Sequence, residues 1–261
     1  SMGSRSLHFD QAPPLAIPLS FFFTAPVALA CAGGLLLYSG ADVLVTAWSP
    51  RTLALTHLFT LGFLVMVMLG ALYQLTAVIA GRPVPGVRLA HVVHILFAAG
   101  ISGLCSGLVA SAPRLVFHSI ATLALGLLAF VVPVGIALAR APTRNWTVRG
   151  MQLALAGFFL AAAIGLWMAH GHGGMRFPGV RSLWVQVHVC VALLGWVGGL
   201  ISAVSWQVLP MFYLSSGVGR RMQLAVLASI AVLLTLPVAV LFADYFAAAG
   251  SAPLAALGSL P

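Results

Sequence analysis

Histidine is the residue type in this sequence with the clearest capacity for chemistry, because the chain holds eight histidines but only three acidic residues and no glutamate. Ionisable side chains inside long apolar runs are costly to bury in a bilayer and by default indicate function. Neutral imidazole is the usual protein ligand for haem iron, copper and zinc. Five histidines near the ends of apolar runs are therefore candidate metal ligands: His57, His118, His170, His172 and His188.

The composition of the chain indicates the environment in which these histidines lie. Hydrophobic residues make up 62% of the chain and charged residues 6%, whereas a soluble domain carries roughly a quarter charged residues. The sequence therefore predicts an all-α, polytopic transmembrane helical bundle with the lipid bilayer as its main partner. The formal charge of +9 does not indicate nucleic-acid binding, because the arginines are scattered singly between apolar runs.

The apolar runs predict seven membrane-spanning helices, since a bilayer core needs about 20 residues per helix. Their approximate ranges are 15–39, 52–80, 87–110, 114–140, 147–170, 182–214 and 222–248. We interpret residues 1–14 as an N-terminal tail that begins with an expression-tag remnant (Ser1–Ser4), and 15–250 as the bundle. Residues 251–261 are interpreted as a tail or the start of a further segment, so that an eighth helix is an open alternative.

The placement of the arginines along the chain predicts the orientation of the protein in the membrane. Eight arginines fall on the N-terminal side and four on the other, so the positive-inside rule places the N-terminus in the cytoplasm. The two groups are Arg5, Arg82, Arg88, Arg140, Arg144, Arg149, Arg220 and Arg221 against Arg51, Arg114, Arg176 and Arg181. The use of arginine without lysine favours a bacterial inner membrane. All five candidate histidines then lie at the outer end of the bundle.

Haem is the metal centre that this pattern favours. Two histidines on facing helices can ligate one iron axially, and an apolar bundle accepts the macrocycle. Arginines near the outer surface suit the haem propionates; the candidates are Arg51, Arg114, Arg176 and Arg181. Glycines downstream of His57 and His188 either admit a flat ring or allow close helix packing: Gly62, Gly70, Gly195, Gly198 and Gly199.

Other histidines and the cysteines have weaker interpretations. Met168, His170, His172 and Met175 lie close together among glycines, a pattern that suits copper but is also common in surface loops without metal. The spacing of His91 and His94 permits a shared ligand or a quinone headgroup contact, although it favours an interfacial, partly solvated pair, and His8 is assigned no role. The three cysteines are interpreted as packing residues: Cys31, Cys105 and Cys190.

Two segments carry a resemblance to a known family. The segment Thr56–Gln74 and the segment His188–Phe212 resemble haem-ligand helices of haem–copper oxidase subunit I relatives, including the NnrS-type haem proteins. The resemblance implies a low-spin b-type haem held by His57 and His188 near the outer face. The two segments also echo each other weakly, because Gln74 and Gln207 follow their histidines at distances that differ by two residues.

The resemblance does not imply that this chain catalyses the oxidase reaction. The sequence lacks the adjacent histidines and the His-x-x-x-Tyr pattern of the oxidase copper site, and it lacks the glutamate of nitric-oxide-reducing relatives. Electron transfer, with a quinol or cytochrome partner, and handling of nitric oxide or another diatomic gas are therefore the expected functions. Any enzymatic activity would be that of an oxidoreductase, with no catalytic residue assigned. His118 with His170 or His172 is a candidate second haem or copper centre.

A transporter for copper, haem or another small solute is the alternative, with the histidines as transient ligands and a broken helix near the midplane. Pro133 and the glycines permit such a break. A retinal protein is excluded because there is no lysine for a Schiff base, and a zinc protease of the HExxH type because there is no glutamate. Asp244 is expected either to pair with an arginine or to cap the bundle.

Overall fold

The structure, a computed structural model, describes residues 7–174 and 179–257, and within these ranges the chain is helical with no strand. Four expectations fall outside the described residues: the tag remnant Ser1–Ser4, Arg5, Met175 and Arg176. The described chain contains nine α-helices, two of which are continued by π-helical segments into the next helix. The prediction of an all-α fold is confirmed.

Helix bounds follow the apolar runs. The first four helices are α1 (Ala16–Ser39), α2 (Pro50–His57), α3 (Met66–Ala80) and α4 (Leu89–Val109), and the segment π1 (Leu58–Val65) joins α2 to α3. They are followed by α5 (Pro113–Ala139), α6 (Trp146–Ala169), α7 (Arg181–Cys190), α8 (Gly199–Tyr213) and α9 (Arg220–Leu257). The segment π2 (Val191–Gly198) joins α7 to α8. Short 3-10 turns lie at Phe9–Gln11 and Gly40–Leu44.

Seven continuous helical stretches in the described chain are long and apolar enough to cross a membrane, as the sequence predicts. The protein is therefore a multi-pass membrane protein. The last of these stretches, Arg220–Ala247, agrees with the predicted run 222–248, and α9 itself continues to Leu257. Glycine and proline are tolerated in apolar helices, so Gly250 and Pro253 do not stop this one.

The helices pack into two compact units. The first unit comprises residues 7–144 together with His172–Gly174. Within it, α1 packs antiparallel to π1 and α3 at positions where glycine removes the side chain. A Cβ placed on Gly62 would lie 2.6 Å from Cβ of Ala28, and one on Gly70 would lie 2.9 Å from Cβ of Phe21. The close approach of these helices therefore depends on both glycines.

The hairpin of α4 and α5 completes the first unit. Its two helices are antiparallel and meet along glycines of α4. A Cβ on Gly100 would lie 2.6 Å from Cγ of Leu123, and one on Gly107 would lie 2.8 Å from Cγ2 of Val116. Small residues at these positions let the two backbones approach, which is how apolar helices gain packing energy in lipid.

The second unit comprises Asn145–Gly171 and the described chain from residue 179 onward. Here α6 packs antiparallel to π2 and α8. A Cβ on Gly157 would lie 2.9 Å from the carbonyl carbon of Gly195, and one on Gly150 would lie 2.5 Å from Cβ of Ala203. The α9 helix packs against α6 and α7 around a buried cluster that includes Trp184 and Leu241.

The two units repeat one arrangement, a helix packed against a second span that contains a π segment. Both π segments are eight residues long, and each is followed by a fifteen-residue α-helix. Gly62 and Gly195 both occupy the fifth position of their π segment, and Gln74 and Gln207 both occupy the ninth position of the helix that follows. The two segments that are weakly similar in sequence therefore form a structural repeat. Their residues correspond position by position when the two π segments are aligned.

The N-terminal segment has a structural role that the sequence does not indicate. The backbone N–H of His8 donates to the carbonyl oxygen of Val78 at 2.9 Å. Its imidazole covers Gly81, the left-handed residue (φ 68°) that ends α3. His8 therefore covers the end of a spanning helix, where backbone carbonyls lack helical partners.

Candidate metal-ligand site

His57 is the last residue of α2 and directly precedes π1. The helix begins at Pro50, and the side chain of Ser49 caps it by accepting the backbone N–H of Thr52 at 3.1 Å. The Nδ1 atom of His57 lies 2.7 Å from the carbonyl oxygen of Leu53. Because a carbonyl only accepts hydrogen bonds, Nδ1 carries the proton, and the neutral ring bears its lone pair on Nε2.

His188 lies in α7, three residues before π2. Its Nδ1 donates to the carbonyl oxygen of Ala161 in α6 at 2.9 Å. The ring rests on Gly165, where a Cβ would lie only 2.8 Å from Cε1 of the imidazole. Backbone atoms of the neighbouring helix therefore fix both the orientation of this ring and its tautomer, with the lone pair again on Nε2.

His170 shows the same hydrogen-bond pattern directly after α6. Its Nδ1 donates to the carbonyl oxygen of Leu166 at 2.8 Å, and its ring lies 6.0 Å from that of Trp167. A histidine that ligates a metal usually donates its other ring N–H to a carboxylate or a backbone carbonyl, which fixes the tautomer and orients the ligand. Three of the five candidates have this arrangement: His57, His170 and His188.

The other two candidates are placed differently. His118 is exposed in the first turns of α5, with its ring centre 6.1 Å from that of Phe117. His172 is half-buried in the turn after α6. The positions of these two residues near helix ends support them as second-site ligands.

The candidate histidines are distributed over both units. His57 and His118 belong to the first unit, and His170 and His188 to the second. Among the described residues, no three histidine, cysteine or acidic side chains form a group that would hold a metal ion. A three-ligand copper site is therefore not assembled there, and copper stays a prediction.

The glycines downstream of the candidate ligands are packing residues. Gly62 and Gly70 contact α1, and Gly195 contacts α6 and Leu234 of α9. Gly199 lies within 3.6 Å of side chains of α6 and α9, measured from an ideal Cβ. Of the two roles expected for these four glycines, the structure shows close helix packing, because neighbouring helices fill the space beside them. Gly198 differs, since a Cβ there would meet only the carbonyl oxygen of Leu193 in the same span.

Asp244 has the capping role that was one of its two expected roles. Its Oδ2 accepts the backbone N–H of Val180 and the indole N–H of Trp184, each at 3.0 Å. A carboxylate at a helix N-terminus is favourable because the first N–H groups have no helical partners. Asp244 thereby connects α9 to the first turn of α7. Its partner Trp184 lies one helical turn before His188 in the same helix.

Arg51 and Arg181 are exposed at the starts of α2 and α7. Each precedes its histidine by about two helical turns, or roughly 9–10 Å along the axis. Guanidinium groups at this distance can reach a carboxylate at the membrane surface. The position of both side chains is compatible with their predicted role as propionate partners.

His91 and His94 have different surroundings. His91 is exposed, whereas Nε2 of His94 lies 2.7 Å from the hydroxyl of Thr24 in α1. The Thr24 hydroxyl itself donates to the carbonyl oxygen of Ser20, so His94 must be the donor to Thr24. His94 therefore links α4 to α1 in the first unit.

The sequence analysis missed two features of the site. Gly165 makes room for the His188 ring, and nothing in its apolar sequence surroundings indicates this contact. The bond between Asp244 and Trp184 had a signal, because Asp244 is the only acidic residue within the predicted spans. An intramembrane carboxylate needs partners, and an indole N–H is a suitable donor.

Comparison of the chain with protein-family models, with curated proteins and with solved structures finds no match.

Proposed function

We propose that this multi-pass membrane protein binds haem b, with His57 and His188 each a candidate iron ligand, and serves in electron transfer or in the handling of nitric oxide or another diatomic gas. The observation that supports the proposal most directly is shared by the two residues. In each, Nδ1 donates to a backbone carbonyl, at 2.7 Å for His57 and 2.9 Å for His188. Each ring is thereby set in the tautomer whose Nε2 can ligate iron.

The position of the two histidines in their spans supports the same proposal. Each lies about two turns below the start of its helix, immediately before or within one turn of a π segment. π segments are rare within α-helices and occur often at functional sites. They occur here at matching positions of the two units, next to the residues with the greatest capacity for metal binding.

The chain's own residues have three roles in this proposal. His57 and His188 supply imidazole nitrogen, and Arg51 and Arg181 hold propionates near the membrane surface. The apolar spans exclude water. Haem b, when bound, supplies a one-electron redox centre or a site for a diatomic ligand. An iron with two imidazole ligands favours electron transfer, whereas one imidazole leaves a position for nitric oxide.

The test is an absorption spectrum of the protein purified in detergent from haem-supplemented cells, oxidised and dithionite-reduced, with a pyridine haemochrome assay. The proposal expects a Soret band, sharp α and β bands on reduction, and haem b in the pyridine haemochrome. Carbon monoxide or nitric oxide added to the reduced protein separates the two roles, because only an open iron position shifts the Soret band. A colourless protein contradicts the proposal.

A transporter for copper, haem or another solute is the second candidate function, and one observation favours it. Interruptions at corresponding positions of two repeats point to a substrate site in many transporters, and π1 and π2 occupy such positions. Both spans nevertheless stay helical throughout, and α5 continues through Pro133. Haem binding therefore has the stronger support. Metal that is lost on dialysis, without a haem spectrum, would favour transport.

The proposed orientation places the N-terminus in the cytoplasm of a bacterial inner membrane, with His57 and His188 near the outer face. It is tested with single cysteines introduced at Thr46 and Thr143. An impermeant maleimide is expected to label the cysteine at position 46 in intact cells and the one at position 143 only after lysis. The reverse pattern would invert the assignment.

A further inference from the structure

Trp146, the first residue of α6, is contacted by two arginines. The Cζ atom of Arg149 lies 4.6 Å from the centre of the Trp146 ring, and that of Arg220 lies 5.6 Å from it. Arg149 is one turn further along α6, and Arg220 is the first residue of α9. The indole is half-buried and both guanidinium groups are exposed. One aromatic ring thus contacts two positively charged side chains, one from the start of each of two spanning helices.

The backbones of α6 and α9 approach each other at this end of the second unit. A Cβ on Gly150, the residue after Arg149, would lie 3.5 Å from Cδ2 of Leu227 in α9. Both helices begin here, so the positive ends of their dipoles add to the guanidinium charges. The two arginines, the adjacent Arg221 and the two helix starts make this a strongly positive region.

No acidic side chain of the second unit lies beside this region among the described residues. The chain has no glutamate, and its three aspartates are Asp10, Asp42 and Asp244. Asp244 is the only one in the second unit, and its side chain lies far along α9 from Arg220, on Val180 and Trp184. Like charges held close together are costly unless an anion compensates them. The compensating anion must therefore come from outside the unit.

We propose that Arg149, Arg220 and Trp146 form a binding site for the phosphate of an anionic phospholipid. Guanidinium groups bind phosphate oxygens in a bidentate manner. Tryptophan is enriched at the membrane–water boundary, where the headgroup phosphates lie. Basic pockets between spanning helices are known to take anionic headgroups.

The surroundings favour a lipid over a soluble anion. Two apolar side chains at the start of α9 are exposed, Met222 at 61% and Leu224 at 39%. Leu224 lies one turn after Arg220 on the same face of α9, where an acyl chain attached to a bound phosphate would run. A soluble phosphate would contact only the guanidinium groups and would make no use of this adjacent apolar surface.

The experiment measures binding of phosphatidylglycerol to the delipidated full-length chain in neutral detergent, by native mass spectrometry, with phosphatidylcholine as the zwitterionic control. Arg149→Gln and Arg220→Gln are each expected to weaken phosphatidylglycerol binding by about tenfold or more, since a bidentate charged contact is lost. Arg221→Gln is the matched control, because it removes the same charge from the neighbouring residue. Its binding is expected to change less than about threefold.

Three results would overturn the proposal. An equal loss in Arg221→Gln would indicate diffuse charge attraction, and equal binding of phosphatidylcholine would indicate contact with acyl chains only. Displacement of the lipid by millimolar inorganic phosphate would assign the site to a soluble anion. Arg149→Lys guards against misfolding of the glutamine variants. It keeps the charge but loses the planar fork, and it is expected to bind the lipid more weakly than the wild type.

Discussion

The imidazole of His188 is held by the backbone of a neighbouring helix, since its Nδ1 lies 2.9 Å from the carbonyl oxygen of Ala161. His57, by contrast, donates to Leu53 of its own helix at 2.7 Å. The orientation of His188 therefore depends on the packing of α6 against α7, whereas that of His57 depends on the helical conformation of α2. Changes in α6 should thus affect His188 selectively.

Gly165→Ala tests this dependence. The new Cβ would lie 2.8 Å from Cε1 of His188, so the ring must move, and its hydrogen bond to Ala161 should weaken by about 0.5–1.5 kcal/mol. We expect haem retention to fall by up to roughly tenfold and the reduced α band to shift. Gly33→Ala is the matched control, because a Cβ there meets nothing within 4 Å. Equal haem content and identical spectra in the two variants would contradict the role of Gly165.

The spans themselves could be predicted from the sequence because length and apolarity decide them. The predicted run 52–80 corresponds to the continuous stretch Pro50–Ala80, and the run 114–140 to Pro113–Ala139. The π segments could not be predicted, since a π turn uses the same apolar residues as an α turn and changes only the register of backbone hydrogen bonds. The helix α9 continues past Gly250 to Leu257, because glycine and proline interrupt a soluble helix more readily than an apolar one.

The candidate site was predictable in residue type but not in geometry. The depth of His57 and His188 below their arginines follows from counting residues along a helix. The carbonyl partner of His188 lies on another span, 27 residues away in sequence, and no periodicity indicates it. The packing roles of Gly62 and Gly195 required the positions of α1 and α6, which the sequence does not contain.

Asp244→Leu is expected to destabilise the second unit. Its Oδ2 accepts hydrogen bonds from Val180 and Trp184, and hydrogen bonds to a charged group contribute about 1.5–3 kcal/mol. The measurement is the free energy of unfolding in mixed detergent. Asp42→Leu, which changes an exposed aspartate of the first unit, should have an effect within about 0.5 kcal/mol. Similar losses in both variants would argue against the capping role.

Trp184→Phe and Trp196→Phe form a matched pair. Both indoles are buried, but that of Trp184 donates to Asp244, whereas the buried Nε1 of Trp196 finds no hydrogen-bond partner among the described residues. Each substitution removes the same atoms and leaves a similar void. Trp184→Phe should therefore lower the free energy of unfolding by about 1.5–3 kcal/mol more than Trp196→Phe. Equal effects in detergent unfolding would show that the bond contributes nothing.

Gly157→Leu should disrupt the packing of α6 on π2. A Cβ at this position would lie 2.9 Å from the backbone carbonyl carbon of Gly195. Backbone atoms cannot avoid this clash by a change of rotamer, as a side chain can. Overpacking of this kind typically costs about 1–3 kcal/mol or more, which we expect to appear as a lower melting temperature. Gly34→Leu, at a position with nothing within 4 Å, serves as the comparison. A melting temperature that falls equally in both variants would refute the close crossing.

The most direct test of haem ligation by His57 and His188 is the dithionite-reduced absorption spectrum of three alanine variants prepared in parallel. His57→Ala and His188→Ala should each lose or broaden the α band and lower the haem b content in the pyridine haemochrome assay. His91→Ala, which changes an exposed histidine outside the candidate ligands, should retain the wild-type spectrum. Wild-type spectra in both ligand variants, or loss of haem only in His91→Ala, would contradict the account.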